Sequence, residues 1–406
     1  VAIIAGIEKY AADHLELGFS ADDACAVTKA ILALAEGLGI EPTIYLLADS
    51  PEAQELASPN VTVLPPSRKN FDLVFQQITE LENTSNDLFF LYLAGHGLAV
   101  PGERPQYFYL TQEARDGSPS SFVNKQIQLQ WAIGGDELVS WLSRIKSGKR
   151  VMMLDTCSAG AMAGQTASIG RSDDEDRSRA LRDFQSRTGI YALFGSPDSL
   201  FSYEAPQFRH GLMTYTFLEQ LRAAQLSDVG GSNAVFVDRL FIQVAQATRE
   251  RAQSLDRVQE PRYSFPDGEP FPIGLLDDKL RSKIPLPEKL PVVLRPSLVN
   301  AAKRRDDLNL EELIVAELRK QTQERGGGRT SGLAWVFSDR SSDAEGYRIF
   351  GDYDVIGDRI NLRLAVSKGD EELGTLPAIN SVKLADAPRA ILEALLAFFK
   401  NRAPKP

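Results

Sequence analysis

Five short apolar runs, Val1 to Gly6, Thr43 to Ala48, Asp87 to Ala94, Arg150 to Thr156 and Ile190 to Ser196, recur along the first 275 residues, and several are nearly continuous. Unbroken apolarity is what a strand needs when both faces are covered, because successive side chains point to opposite sides of a sheet. Between the runs, apolar residues return every third or fourth position over Asp22 to Leu38, Phe71 to Leu81, Asp136 to Ile145, Gly211 to Ala224 and Phe236 to Leu255. That is the period of helices burying one stripe. Strands alternating with helices predict an α/β domain over 1–275, with a mostly parallel sheet flanked by helices, since parallel neighbours need crossover connections.

Pro285, Pro287, Pro291 and Pro296 crowd a mixed-charge stretch, and 276–296 is read as a proline-rich linker because proline disfavours helix and central strand alike. Residues 297–406 then read as a smaller α/β accessory domain. A charged helix over Leu308 to Arg325 stops at Gly326-Gly327-Gly328, and strands follow at Leu333 to Ser338, Tyr347 to Val355 and Arg359 to Ser367. Ile356-Gly357-Asp358 supplies a hairpin turn, and Pro388 to Phe399 a closing amphipathic helix. No nucleophile, metal cluster or phosphate loop appears there, so its expected work is substrate recruitment, oligomerisation or restraint of the first domain, with a regulatory protein as the partner it would take.

A formal net charge of -10 argues against nucleic acid as a partner, because phosphate binding draws on clustered Lys and Arg. No apolar run reaches the length of about 20 residues that spans a bilayer, so no membrane span and a cytoplasmic location are expected. The chain begins at Val1 without an initiating Met, which leaves a signal peptide upstream of Val1 open. Cys25 and Cys157 are its only cysteines, too few for a disulfide framework or a zinc site built from thiolates. Cys25 lies on the first helix beside Ala24 and Val27, where core packing is its expected role. No Gly-rich nucleotide loop follows a strand.

The run ending at Ala94 leads directly into Gly95-His96-Gly97, so an imidazole sits where a buried strand leaves the sheet. Further on, the run Val151 to Leu154 leads into Asp155-Thr156-Cys157-Ser158-Ala159-Gly160. Open α/β sheets place their sites at the carboxyl ends of strands, so the thiol and the imidazole can meet there. An imidazolium beside a thiol favours the thiolate and can later protonate a leaving amine, which makes Cys157 the candidate nucleophile and His96 its acid/base partner. The backbone N–H groups of Gly97 and Cys157 are the expected oxyanion donors. Alone, the cysteine would pass as core filler and the histidine as a turn residue; the pairing of two such strand ends points to catalysis.

These residues resemble the caspase-like cysteine peptidase superfamily, in particular its bacterial metacaspase-like and orthocaspase-like members. The resemblance includes Ala5-Gly6-Ile7-Glu8-Lys9-Tyr10, Ala21-Asp22-Asp23-Ala24 and both strand-end motifs, with later echoes at Tyr203-Glu204, His210-Gly211-Leu212-Met213-Thr214 and Gln259-Glu260-Pro261. It implies the caspase-haemoglobinase fold and hydrolysis of peptide bonds through a Cys/His dyad and a thioester acyl-enzyme. The contrasting reading is an inactive caspase-like scaffold that binds protein partners without cutting them. No cofactor is expected, although the resemblance brings in calcium activation; the acidic run Asp173-Asp174-Glu175-Asp176 lacks the spacing and glycine of an EF-hand loop.

Asp155 stands two residues before Cys157, so on an extended strand both would face the same side. Asp23 stands where the resemblance places the second acid of an S1 pocket. Two acids there would select Arg or Lys at the cleaved position of a protein or peptide substrate, since a guanidinium can bridge carboxylates. Asp22 and Asp23 would serve equally as a helix cap or dipole partner, and Asp155 as a buried orienter. Metacaspases commonly have Ser two residues before the histidine, and this chain has Ala94. The stretch Gly160 to Gly189 reads as an exposed loop where such chains are processed, and Arg171, Arg177, Arg179, Arg182 and Arg187 within it are candidate self-cleavage sites. His14 and His210 lack a motif that would make them catalytic and are expected at the surface or in loops.

Overall fold

The computed structural model describes residues 1–406 except 82, 83, 85, 101–105, 159–189, 196–201, 224–232, 256, 267, 327–334, 340–344 and 403–406, and of 157, 158, 321–326 and 402 it describes the backbone alone. The chain divides into two compact units, Val1–Ala205 with His210–Pro287, and Pro206–Arg209 with Glu288–Pro406. Among the described residues, no helix is long and apolar enough to cross a membrane.

The first unit contains β1 (Ala2–Gly6), β2 (Ile44–Ala48), β3 (Val61–Leu64), β4 (Leu88–Val100), β5 (Gln106–Leu110), β6 (Ala132–Gly134), β7 (Lys149–Ser158), β8 (Tyr191–Phe194), β9 (Glu204–Ala205), β10 (His210–Gly211), β11 (Ala234–Phe236), β12 (Arg262–Ser264) and β13 (Pro272–Leu275). Its helices are α1 (Ser20–Leu38), α2 (Pro51–Glu55), α3 (Arg68–Glu80), α4 (Lys125–Trp131), α5 (Gly135–Arg144), α6 (Leu212–Arg222), α7 (Val237–Ser254) and α8 (Asp278–Lys283). The main sheet runs β12-β8-β7-β4-β1-β2-β3, with β5 and β6 attached beyond β4. From β3 through to β8 the pairing is parallel, and β12 closes the edge antiparallel.

Burial on both faces explains why these strands read as continuous apolar runs. Along β4, Phe89, Leu91 and Leu93 enter one core with Phe71, Phe75 and Trp141, while Phe90, Tyr92 and Ala94 enter the other with Ala24, Phe217 and Phe241. Residues β1 and β7 divide in the same way, Ile3 and Met152 on one side and Ile4 and Met153 on the other.

Some expected boundaries move. The central strand does not end at Ala94; β4 continues through Gly95-His96-Gly97 to Val100, because β5 pairs antiparallel with its last four residues, from Gly97↔Tyr109 to Val100↔Gln106. The turn expected at the Gly-His-Gly segment is therefore a kink in a longer strand, taken up by Gly95 with φ +140°, a conformation that residues with a side chain rarely adopt. The stretch read as a linker, 276–296, also has structure. Asp277 caps α8 by accepting from Leu280 N–H, and Leu280 and Ile284 are buried in the first unit's core.

The second unit holds β14 (Val292–Val293), β15 (Ser297–Asn300), β16 (Val336–Phe337), β17 (Tyr347–Ile356), β18 (Arg359–Lys368), β19 (Glu371–Thr375) and β20 (Ile379–Lys383), with α9 (Leu310–Gly326) and α10 (Ala387–Arg402). Its sheet runs β16-β14-β17-β18-β19, with β15 beside β17 and β20 beside β18. Leu310, Ile314 and Leu318 of α9 and Ile391, Leu392 and Leu395 of α10 bury against Ile349, Tyr353 and Leu362. It is thus an α/β unit with its own core.

Candidate active site

Parallel pairing of β4 with β7 sets Ala94 opposite Asp155, His96 opposite Cys157 and Gly97 opposite Ser158. Neighbouring strands lie about 4.8 Å apart, so the backbones bearing the candidate nucleophile and base are adjacent at the carboxyl end of the sheet. Gly97, expected as an oxyanion donor at a turn, is a mid-strand residue in register with Tyr109 as well as Ser158.

His96 is fully buried, and its surroundings are built by the arm between β1 and α1. Its backbone N–H donates to the Tyr10 hydroxyl at 2.9 Å, and the Tyr10 ring lies 5.0 Å from the imidazole, centroid to centroid. Nε2 lies 2.8 Å from the Leu15 carbonyl oxygen. A carbonyl can only accept, so Nε2 carries the ring proton and Nδ1 presents a lone pair. Nδ1 is buried and has no partner among the described residues. Burial drives the imidazole pKa down to about 4, against the Leu15 carbonyl, which raises it, and with the His14 charge lowering it further. The ring is therefore neutral at pH 7, in the state a general base requires.

Asp155 is 5% exposed, and donors surround its carboxylate. Oδ1 accepts from the Ser202 hydroxyl, and Oδ2 accepts from Thr214 N–H at 3.1 Å and the Thr214 hydroxyl at 2.6 Å. With the Thr214 proton committed to the acid, the Tyr92 hydroxyl 2.6 Å away donates to Thr214. Gln259 extends the network by donating to Ser202 at 3.2 Å and to the Gly195 carbonyl at 3.1 Å, while its own oxygen accepts from Tyr203 N–H. Burial pushes the Asp155 carboxyl above the usual range, against the pull of Ser202 and Thr214.

Asp23 is 3% exposed and sits in the first turn of α1. It does not cap that helix, whose N-cap position is Phe19. Its carboxylate instead accepts from Gly211 N–H at 3.1 Å and 3.2 Å and lies 2.7 Å from His210 Nδ1. His210 is therefore not the surface residue expected; it is buried on β10 against an acid 187 positions away in the chain. The contact has the geometry of an ion pair, yet burial holds His210 down at about 4 and raises Asp23, so the charged pair is disfavoured and the two share a hydrogen bond. Burial, and then the nearby Asp155 charge, raise Asp23 well above the usual carboxylate range. Both acids crowd one glycine: a Cβ placed on Gly211 would lie 2.9 Å from Oδ2 of each.

Glu204 and Glu8 add further acid. Glu204 is raised by burial, with Asp155 and Asp22 opposing its ionisation, and Glu8 is raised to about 8 by burial and by Asp22. Among the described residues, no Lys or Arg forms an ion pair with Asp23, Asp155, Glu204 or Glu8. Likewise, no group of three or more His, Cys, Asp and Glu among them is arranged to hold a metal ion. The acidic run Asp173-Asp174-Glu175-Asp176 and the arginines 171, 177, 179, 182 and 187 lie outside the described residues.

Cys25 is fully buried in the core, its Sγ 3.9 Å from Ser50 Oγ, and burial pushes its thiol up to about 12. Such a thiol stays protonated and inert. His14 is exposed on the arm.

Residues 1–265 match the family model of the Peptidase C14 caspase domain. The chain belongs to the caspase-domain family. Membership gives a cysteine-peptidase type of fold and makes proteins the substrate class. Among curated proteins, none matches the chain. Among solved structures, it is similar to protein GSU0716 from Geobacter sulfurreducens at 17% identity and a TM-score of 0.37, over 69% of this chain and 95% of that one.

Proposed function

We propose that the chain is a cysteine endopeptidase in which Cys157 attacks the scissile carbonyl and His96 moves the proton. The observation that carries the reading is His96 itself: it stands in register with Cys157, is neutral, and has Nε2 committed to a carbonyl while Nδ1 has no hydrogen-bond partner among the described residues. Nδ1 would take the thiol proton as the Cys157 sulfur adds to the carbonyl carbon. The same nitrogen would return that proton to the leaving amine as the carbon–nitrogen bond breaks, leaving a thioester. Water, deprotonated by Nδ1, would then hydrolyse the thioester and release the thiol.

The preference for Arg or Lys at the cleaved position is supported by acids that no Lys or Arg among the described residues pairs with. Asp23 and Asp155 converge on Gly211, Glu204 lies within electrostatic reach, and the basic group hydrogen-bonded to Asp23 is a His210 whose charge burial disfavours. A guanidinium supplied by substrate would restore ionisation to carboxylates that burial disfavours. Turnover of Arg-, Lys- and Asp-ending fluorogenic peptides, with Cys157→Ala as control, tests both parts. Cleavage of the Asp-ending peptide alone would overturn the specificity, and equal turnover by Cys157→Ala the nucleophile.

Self-cleavage after one or more of Arg171, Arg177, Arg179, Arg182 and Arg187 belongs to the same reading. Intact mass of active protein beside Cys157→Ala checks it, and identical masses would refute it.

A further inference from the structure

Helix α1 begins without a cap of its own: Phe19 occupies the N-cap position and its side chain caps nothing. The unpaired amides at that end are taken up by acids from elsewhere. Glu8 accepts from Ala21 N–H at 3.2 Å, and Glu204, on the distant hairpin strand β9, accepts from Gly18 N–H at 2.9 and 3.1 Å and from Phe19 N–H at 2.9 Å. Leaving such amides buried without acceptors is costly, so these bonds fix where the chain enters α1.

The arm ending at those amides is the one that builds the surroundings of His96. At its start, Ile7 N–H donates to the Ala94 carbonyl at 3.1 Å, which ties it to β4. Tyr10 and Leu15 then reach His96, and Leu17 N–H closes back on the Glu8 carbonyl at 2.9 Å. The far end, at Gly18 and Phe19, is held by Glu204.

We propose that Glu204 is a positioning residue for the base: by gripping Gly18 and Phe19 it holds the Leu15 carbonyl and the Tyr10 hydroxyl against His96, and so keeps Nε2 engaged and leaves Nδ1 as the nitrogen that can take a proton. This rests on the reading of His96 and Cys157 as the reacting pair. The ionisable groups facing Glu204 are Asp155 on β7, Asp22 and Asp23 on α1 and Glu8 on the arm; His14 faces His96 from the arm. Among the described residues, the carboxylate of Glu204 bonds to the backbone of Gly18 and Phe19 and not to His96. The same hairpin places His210 and Gly211 against Asp23, so one short element supports the recognition acid directly and the base through the arm.

The test compares wild type, Glu204→Gln and Glu204→Ala by steady-state turnover of an Arg-ending peptide and by the pH profile of Cys157 alkylation with iodoacetamide. Circular dichroism serves as the folding check. Misplacing a catalytic group by about 1 Å can cost on the order of 100-fold, so Glu204→Ala is expected to lose about 10–100-fold in kcat while KM moves within about twofold. Its alkylation at neutral pH should slow and its profile should change from that of wild type, because a displaced imidazole no longer accepts the thiol proton. Glu204→Gln keeps one oxygen acceptor and is expected to fall between the two. Should Glu204→Ala fail to fold, the comparison of Glu204→Gln with wild type decides. A folded variant with wild-type kcat and an unshifted profile overturns the proposal, as does a lowered melting temperature with kcat unaltered. If wild type itself neither turns over peptide nor shows His96-dependent alkylation, the underlying reading fails instead.

Discussion

His96 and the Asp23–Asp155 pair lie in the same unit and are all buried, yet the chain treats them in opposite ways. His96 is held chiefly by backbone and hydroxyl groups of the local arm, and among the described residues its second ring nitrogen has no hydrogen-bond partner. The acids are held by side chains and amides from Ser202, His210, Gly211 and Thr214, far off in sequence, and donors meet both oxygens of each. A group that must change protonation during a reaction needs a vacancy. A carboxyl kept in a buried place to meet an incoming cation needs a filled shell, because an uncompensated carboxylate is expensive to bury.

The largest expected effects break the first half of that contrast. Cys157→Ala and His96→Ala should each lower turnover by about a thousandfold or more, since members of a catalytic unit fail together. A His96→Ala protein within tenfold of wild type in the peptide assay would remove the vacancy's significance. Next come the acids. Asp155→Asn should raise KM for an Arg-ending peptide by about 30-fold or more, with a smaller change in kcat, because a buried charge interaction is worth about 2–5 kcal/mol when one partner is truncated and about 1.4 kcal/mol is tenfold. It should also destabilise the fold by about 1–3 kcal/mol, since an amide NH2 would face the hydroxyl of Ser202 or the donors of Thr214. Equal loss of Arg- and Asp-ending turnover would mean that Asp155 orders the site without selecting the substrate.

The pH profile sharpens the comparison further. With the imidazole held at about 4, kcat/KM should keep rising only below pH 6 and be flat from there through neutrality, because protonating Nδ1 is what abolishes the base. An acid limb at 6.5 would show a solvated ring. The smallest effect is expected at Glu8, whose folded pKa of about 8 lies above the 4.5 of an unperturbed carboxyl. The folded state therefore holds the proton more tightly, and the stability this contributes is present below 4.5 and lost as pH rises through 8. Glu8→Gln should flatten that fall, with a melting-temperature gain of a few degrees at pH 9 and little change at pH 5.

The parts of the fold visible in sequence are those set by local pattern. The strands β1, β4 and β7 declare themselves through runs such as Leu88 to Ala94 and Val151 to Leu154, because two covered faces demand apolarity at every position. The strands β3, β5 and β6 are less visible: β6 spans only Ala132–Gly134, and Val61–Leu64 carries the exposed Thr62 of an edge. Nothing local announces that β4 continues past His96, since the reason is pairing with Tyr107, Phe108 and Tyr109. The site divides along the same line. His96 and Asp155 can be singled out by position at strand ends, whereas the burial of His210 is created by Asp23, and the part played by Ser202 and Gln259 by their approach to Asp155. The segment His210-Gly211-Leu212-Met213-Thr214 carried the available signal, for it supplies both the histidine and the threonine that meet the acids.

The bond from His96 Nε2 to the Leu15 carbonyl has a consequence for traffic through the site. It leaves the imidazole a single door: a proton taken up at Nδ1 has to depart from Nδ1, since the opposite nitrogen is sealed against a carbonyl that can neither give nor relay one. Sulfur, leaving amine and hydrolytic water would therefore visit the same side of the ring in turn. The two halves of the peptide would have to part in sequence, the amine clearing that doorway before water could use it.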